Sequence, residues 1–441
     1  MKQKQPEPLP SSAGTSYVIR AGRLIDPETG AEETNQFISV KDGRIVEVGS
    51  GVTHPEGADI IDLSHLSILP GLVDAHDHLA ITYKIFPENN VFYYTYIQDS
   101  TAIRAIQAVS NGMQLLSAGF TVERDCGNAG LYADTALRAA IEQGWVPGPT
   151  VINSGIIIGG MGGQFSPTPE MANEHSIVYP EYLNADTPDE IIRAVRQNVL
   201  FGAKFIKIMV DSKPYPYTVD DMRLFVKEAE NAGGMKVAGH VQTEEGARRA
   251  IEAGIWSIEH DNGLIENDNV HTDELHELMV QKDIWRVGTE TPLTEYNMSL
   301  FRGAGSGEFD RRVKGLRSAY AKGVKMAFST DADYYVPGMT RGQVAIDFLK
   351  SWKAAGIPAK EILKIMTING YKVSDIYNDR GPIKPGFPAD MIAVKGNPLE
   401  DIDALRTVVF VMKDGLVFKR DGVMMPERFM HGGPINGWAI H

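Results

Sequence analysis

Leu69-Pro70-Gly71-Leu72-Val73-Asp74-Ala75-His76-Asp77-His78 runs from an apolar strand into two histidines one residue apart. Residues i and i+2 of a β-strand share a face, so the two imidazoles stand side by side, as two ligands of one metal ion must. Pro70-Gly71 marks a tight entry into the strand. A His-x-His pair by itself arises often by chance. One that ends a buried strand, with further strand-ending histidines downstream, carries much more weight.

The pattern differs on the two sides of this stretch. From Ser16 to about Leu69 it shows short strands and turns, with 17–22 and 36–49 as hairpin material and Asp42-Gly43 as a turn. From Gly71 to about Asp379 short apolar strands alternate with longer helical stretches, the rhythm of βα units around a parallel sheet. The candidate strands end near His78, Asp125, Ser154, Met209, His240, His260, Thr289 and Asp331. Helical spacing of apolar residues marks 189–201, 220–232, 243–253 and 272–282, and Thr218 and Thr243 sit where N-caps belong. These units predict an α/β fold, a (β/α)8 TIM barrel over 70–379. After Asp379 the strand alternation returns, in 389–394 and 408–418. The simplest arrangement is one small β-sandwich domain built from 16–69 and 380–430, with 1–15 a disordered tail and 431–441 a C-terminal tail.

The bulk properties narrow the function. The 441 residues carry a formal net charge of −14, which argues against nucleic acid or an anionic membrane as partner. A single cysteine, Cys126, leaves no intramolecular disulfide and no thiolate cluster, so a metal site must use His, carboxylate or modified Lys. Cys126 itself has no adjacent base and reads as a small buried residue. The first residues lack the apolar core of a signal peptide, and no run is long enough to span a membrane. A cytoplasmic protein is the expectation.

In a TIM barrel the reacting residues sit at the C-terminal ends of the strands, and the polar oddities of this sequence fall there. Phe205-Ile206-Lys207-Ile208-Met209 places a lysine inside an apolar strand, where an unpaired ammonium is costly and needs a partner or a modification. Val237-Ala238-Gly239-His240 and Trp256-Ser257-Ile258-Glu259-His260 end consecutive strands in histidine, and Met326-Ala327-Phe328-Ser329-Thr330-Asp331 ends another in aspartate. His76, His78, Lys207, His240, His260 and Asp331 make one coherent set. The remaining histidines lie in loops or helices and read as solvent-facing.

These motifs, with Pro385-Gly386-Phe387-Pro388-Ala389-Asp390-Met391-Ile392-Ala393-Val394, resemble the amidohydrolase superfamily of metal-dependent hydrolases from about Ser16 to Arg420. Within it the chain is similar to the imidazolonepropionase-like branch, which includes Xaa-Pro dipeptidase-like enzymes, ochratoxin-hydrolysing amidases and hydrolases of phenylurea and thiocarbamate herbicides. Gly202-Ala203-Lys204-Phe205-Ile206-Lys207-Ile208-Met209 resembles the strand that carries a carbamylated lysine in the dipeptidase-like members. The resemblance implies two divalent metal ions, zinc by the nature of the donors, bridged by carbamylated Lys207. It gives His76, His78 and Asp331 to the more buried ion, and His240 and His260 to the other. It implies hydrolysis of an amide-type C–N bond by metal-activated water, with Asp331 as general base and then acid. A small-molecule substrate and a homo-oligomer are implied as well.

Two loops depart from the dipeptidase-like pattern. After the third strand the chain reads Gly159-Gly160-Met161-Gly162-Gly163-Gln164-Phe165-Ser166, where those relatives have Gly-Gly-His followed by an acidic residue. After the fourth it reads Val210-Asp211-Ser212-Lys213-Pro214-Tyr215-Pro216-Tyr217, where they are Gly-rich. Tyr215 and Tyr217, stiffened by prolines, make a wall for a flat or apolar group, joined by Phe86, Phe92, Tyr93, Tyr94, Tyr96, Tyr334 and Tyr335. Gln164 and Arg124 complete the substrate-contact candidates. Arg124 offers a bidentate clamp for a carboxylate, or else a rim ion pair with Glu123 or Asp125. The favoured substrate is an aryl or N-alkyl amide, urea or carbamate, including N-acyl amino acid conjugates such as ochratoxin-like amides. An Xaa-Pro-type dipeptidase is the alternative enzyme, and a non-catalytic scaffold on this fold the alternative of another class.

Overall fold

The strand-and-turn rhythm at the two ends of the chain produces one sheet. The computed structural model describes residues 12, 14–83, 99–127, 129–161, 181–211, 216–260, 272–292 and 308–425. β1 (Ser16–Asp26), β2 (Ala31–Lys41) and β3 (Arg44–Gly49) form an antiparallel meander, and β4 (Asp59–Pro70) lies parallel to β1. Asp42 and Gly43 turn β2 into β3 with φ of 50° and 82°, the left-handed pair that a two-residue hairpin needs.

At Gly71 the chain passes from β4 into β5 (Leu72–Asp77). A Cβ on Gly71 would lie 1.9 Å from Thr121 Oγ1, so only glycine fits where this strand meets β6 (Phe120–Asp125). β7 (Thr150–Asn153) pairs with β6 in parallel. β8 (Ile157–Gly159) continues the same stretch after a break at Gly155, and β9 (Tyr182–Asn184) pairs with it. β10 (Ile206–Met209) pairs in parallel with β8, and β11 (Val237–His240), β12 (Ser257–Glu259), β13 (Trp285–Val287) and β14 (Lys325–Met326) follow, each parallel to the one before.

Backbone bonds join these two groups of parallel strands at both margins. Lys204 N donates to Asn153 O (2.7 Å), while Ala75 N donates to Phe328 O and Asp331 N to His76 O (both 2.8 Å). The neighbours therefore run in a closed ring from β5 back to β5. Strand ends near His78, Asp125, Ser154, Met209, His240, His260 and Thr289 match the sequence reading; β14 ends at Met326, short of the expected Asp331, and β8 and β9 are additional strands.

Helices lie between successive strands: α1 (Thr101–Ser117), α2 (Ala133–Glu142), α3 (Pro188–Leu200), α4 (Val219–Asn231), α5 (Glu244–Ala253), α6 (Thr272–Gln281), α7 (Glu308–Lys322) and α8 (Arg341–Asp347). Thr218 and Thr243 cap α4 and α5 through bonds to the N–H groups of Asp221 and Gly246. Period-2 alternation sorts the strand side chains between two cores. Ile206 and Ile208 face outward, into a cluster with Ile191 and Val195 of α3 and Met222 and Phe225 of α4. Phe205 faces inward, with Val73, Val122, Ile152 and Ala238. Lys207 shares the face of Phe205, so the alternation that buries the isoleucines turns the lysine into the ring.

The chain then returns through β15 (Met391–Val394), β16 (Val408–Lys413), β17 (Leu416–Arg420) and β18 (Val423–Met424). β15 pairs with β4, so both ends of the chain form one eight-stranded mixed sheet. The sheet is continuous, and its two halves share one core in which Ile38 and Val40 meet Met391, Phe410 and Met412. Among the described residues no helix is long and apolar enough to cross a membrane.

Candidate metal centre

The strand ends of the ring bring all six predicted ligands together. His76 Nε2 lies 3.4 Å from Lys207 Nζ and 3.9 Å from Asp331 Oδ1, and His78 Nε2 lies 3.2 Å from the same oxygen. His260 approaches the other carboxylate oxygen, with Nδ1 3.6 Å from Asp331 Oδ2. Ring centroids of His260 are 4.3 Å from His76 and 4.4 Å from His240. His76, His78 and Asp331 each present a ligand atom within 4.8 Å of the others. That trio fits a divalent metal ion in donor type, in spacing and in burial.

The far sides of the two β5 histidines explain their orientation. His76 Nδ1 donates to Glu259 Oε2 and His78 Nδ1 to the Gly127 carbonyl, both at 2.7 Å. Each bond places a ring proton on Nδ1 and turns Nε2 toward the centre. Gly127 reaches His78 through a φ of 99°, and a Cβ there would meet Ile157 at 2.6 Å. His260, Thr289 and Asp331 also adopt left-handed conformations, at φ of 58°, 51° and 53°. Such strain in non-glycine residues persists only where the surroundings hold it. Here Thr289 Oγ1 lies 3.0 Å from His260 Nδ1, and the Thr289 N–H donates to Ser329. The turn after His78 is pinned by Arg341, which bonds Asp77 and the carbonyls of His78 and Ile81. Asp74 accepts from the Thr330 hydroxyl and N–H, tying β5 to the segment after β14 that carries Asp331.

Burial lowers His76, His240 and His260 well below the ordinary imidazole range, with the Lys207 charge and neighbouring rings adding to it. They are neutral lone-pair donors near pH 7. His78 goes the other way. Burial opposes its charge, but the hydrogen bond and charge of Asp331, helped by Asp333, raise it to about 9. The gap between His78 and Asp331 thus favours a positive charge. Lys207 is 1% exposed, and its one hydrogen-bond neighbour among the described residues is His76. A second cluster, His76, Cys126 and Glu259, is already committed. Glu259 is taken up by hydrogen bonds, and burial pushes the Cys126 thiol far up, as expected of an inert residue.

Two predicted substrate contacts are corrected. Arg124 is 1% exposed and neither clamps a substrate nor pairs with Glu123 or Asp125. Its side chain shares the inward face of Val122, opposite to those carboxylates, and bonds Glu259, Ser257 and the Ala75 carbonyl. Tyr217 is buried, donates to the Ala185 carbonyl at 2.9 Å and packs on Phe225 outside the ring. Gln164 and Tyr215, with Lys213, Phe86, Phe92, Tyr93, Tyr94 and Tyr96, lie outside the described residues. Tyr334 is buried while Tyr335 is exposed, and His276, expected in solvent, is buried beside Ser318. The sequence reading gives Glu259 no role of its own, although it lies in the Trp256-Ser257-Ile258-Glu259-His260 motif. Its place two residues after Ser257, on one strand face, was the available signal.

The amidohydrolase family profile matches residues 67–417. Ochratoxinase from Aspergillus niger is 28% identical over 463 aligned positions, covering 96% of this chain and 90% of that one. A crystal structure of an Xaa-Pro dipeptidase with methionine bound in its active site is 30% identical, with a TM-score of 0.77, covering 92% of this chain and all of the other. Phenylurea hydrolase B shares the fold, with a TM-score of 0.77 at 21% identity, over 91% of this chain and 96% of that one.

Proposed function

The chain belongs to the amidohydrolase family and is a hydrolase of carbon–nitrogen bonds, and we propose that it cleaves small aryl or N-alkyl amides, ureas or carbamates, N-acyl amino acid conjugates included. The closed ring is read as a (β/α)8 TIM barrel over 70–379, with the composite sheet of 16–69 and 380–430 as a second domain.

The observation that carries the reading is the pairing of a ready-made trio, His76, His78 and Asp331, with a buried lysine that lacks a carboxylate partner among the described residues. An unpaired ammonium there is costly. Loss of one proton frees the Nζ lone pair to form an N–C bond with carbon dioxide, and loss of a second leaves the anionic carbamate, a potential metal ligand. In this reading His76, His78 and Asp331 would hold one divalent ion, zinc by the nature of the donors, His240 and His260 would hold a second, and carbamylated Lys207 would supply an anionic ligand to both. Bound there, divalent metal lowers the pKa of water and polarises a carbonyl. Asp331, its side chain 29% exposed at the mouth of the ring, accepts the proton of the attacking water at its carboxylate and returns it to the leaving nitrogen.

The ochratoxinase relative supports an aryl amide. The Xaa-Pro dipeptidase structure favours a second reading, removal of a C-terminal residue from a dipeptide. Commitment of Arg124 to Glu259 withdraws one carboxylate clamp from that reading. The single buried cysteine supports a reducing, cytoplasmic compartment, and the reading includes a homo-oligomer acting on small molecules. The test is turnover of aryl amides, N-acyl amino acids, Xaa-Pro dipeptides, phenylureas and carbamates by zinc-loaded protein. Aryl amide turnover supports the first reading, Xaa-Pro turnover alone the second, and no turnover of any would overturn both.

A further inference from the structure

The two β5 histidines are oriented by different kinds of acceptor. His78 rests on a neutral carbonyl, whereas His76 rests on a carboxylate that is itself held from two further sides. Glu259 Oε1 accepts from Arg124 Nη1 at 2.9 Å and from the Ser257 hydroxyl at 2.6 Å, leaving Oε2 for His76. Arg124 Nη2 donates to the same hydroxyl at 3.0 Å, Nη1 also reaches the Ala75 carbonyl at 3.1 Å, and the guanidinium lies over the Phe205 ring at 4.3 Å. Every side chain in this chain of contacts is 3% exposed or less.

A buried ion pair of this kind is poor evidence for stability, because desolvation offsets most of the attraction between its charges. Its geometry serves orientation instead. The planar fork of Arg124 spans β6 to β12, Ser257 closes the triangle from the same strand as Glu259, and the result points one carboxylate oxygen at one ring nitrogen of β5. A carboxylate acceptor raises the basicity of the opposite Nε2 more than a carbonyl does.

We infer that Arg124 and Glu259 are a positioning pair whose function is to fix and strengthen His76 as a metal ligand. This rests on the metal-centre reading above. Arg124 is then neither a substrate contact nor a stability element, and its effect on turnover passes through His76.

The test compares zinc dissociation constants, by competition with a chromophoric chelator, for the parent and for Glu259→Gln, Arg124→Met and the double variant Arg124→Met/Glu259→Gln. The double variant carries no uncompensated buried charge, so it folds where a single variant fails to. The expected result is an affinity loss of about 10- to 100-fold in the double variant, with melting of the metal-free protein little changed. Equal zinc affinity in parent and double variant overturns the positioning role while leaving the metal centre intact. A parent that binds no zinc overturns both. A double variant with parental affinity but a much lower metal-free melting temperature assigns the pair to stability and overturns the inference.

Discussion

Replacing Lys207 with methionine should stabilise the metal-free protein and weaken the metal-loaded one. Lys207 is 1% exposed on an apolar strand, with His76 as its hydrogen-bond neighbour. In the metal-free, carbon dioxide-free protein the side chain has no carboxylate counterion among the described residues. Exchanging a buried ion for an apolar side chain of similar volume is worth about 1–4 kcal/mol. At about 2.1 cal/mol/K per residue, unfolding 441 residues releases about 0.9 kcal/mol/K, so Tm should rise by about 1–4 °C. Zinc at about a thousandfold excess over Kd adds about 4 kcal/mol to the parent. Lys207→Met lacks the bridging ligand and forgoes most of that, so the order of stabilities reverses. Calorimetry in EDTA without bicarbonate, and again with zinc and bicarbonate, measures both halves. A variant that melts below the parent in EDTA would show that the lysine has a stabilising partner, and the case for its modification would fail.

Other substitutions test separate parts of the site and fold. His78→Ala should abolish turnover while the metal-free protein keeps its circular dichroism spectrum; full activity would refute the proposed ligand set. Asp331→Asn should lower kcat by about 10²- to 10⁴-fold, the usual contribution of a positioned acid–base group, and a smaller drop in the zinc-loaded variant would remove Asp331 from proton transfer. Glu123, buried without a partner for either carboxylate oxygen, is raised well above the ordinary range, first by burial and then by Asp74 and Asp77. A carboxyl raised in the folded state binds more protons there than when unfolded, so it removes stability as pH climbs past its unfolded value. Glu123→Gln should therefore match the parent below about pH 4 and exceed it in denaturant midpoint above about pH 5; parallel pH profiles would contradict this. Gly71→Ala should cost about 1–3 kcal/mol through overpacking against Thr121, and an unchanged denaturant midpoint would mean that the β4–β5 junction relaxes freely.

Much of this molecule was legible because its information is periodic. Alternation of two residues placed Lys207, His240 and the β5 histidines on the inner face of their strands, and helical spacing located α3 to α6 within a residue or two. Period alone does not give the partner across a closed ring. Arg124 was assigned by its proximity to Glu123 and Asp125 in sequence, yet its neighbours i±1 point the opposite way and its partner, Glu259, sits on another strand. Tyr217 shows the same limit, since a tyrosine near a strand end can turn outward and satisfy its hydroxyl on a carbonyl such as that of Ala185. The break between β7 and β8 depends on Gly155 at φ 69°, a conformation that glycine permits but does not announce. The return of the strand pattern marks a β-domain built from both chain ends, but that β15 adds directly to β4 is a long-range pairing with no local mark in the sequence.

The most direct test of the two-metal centre is a metal count on protein reconstituted with zinc and bicarbonate, taken alongside turnover of the amide panel. The expected result is about two equivalents of zinc per active chain, falling to about one or fewer in Lys207→Met. Less than about half an equivalent in the parent, with no turnover on adding zinc, would contradict a metal-dependent hydrolase.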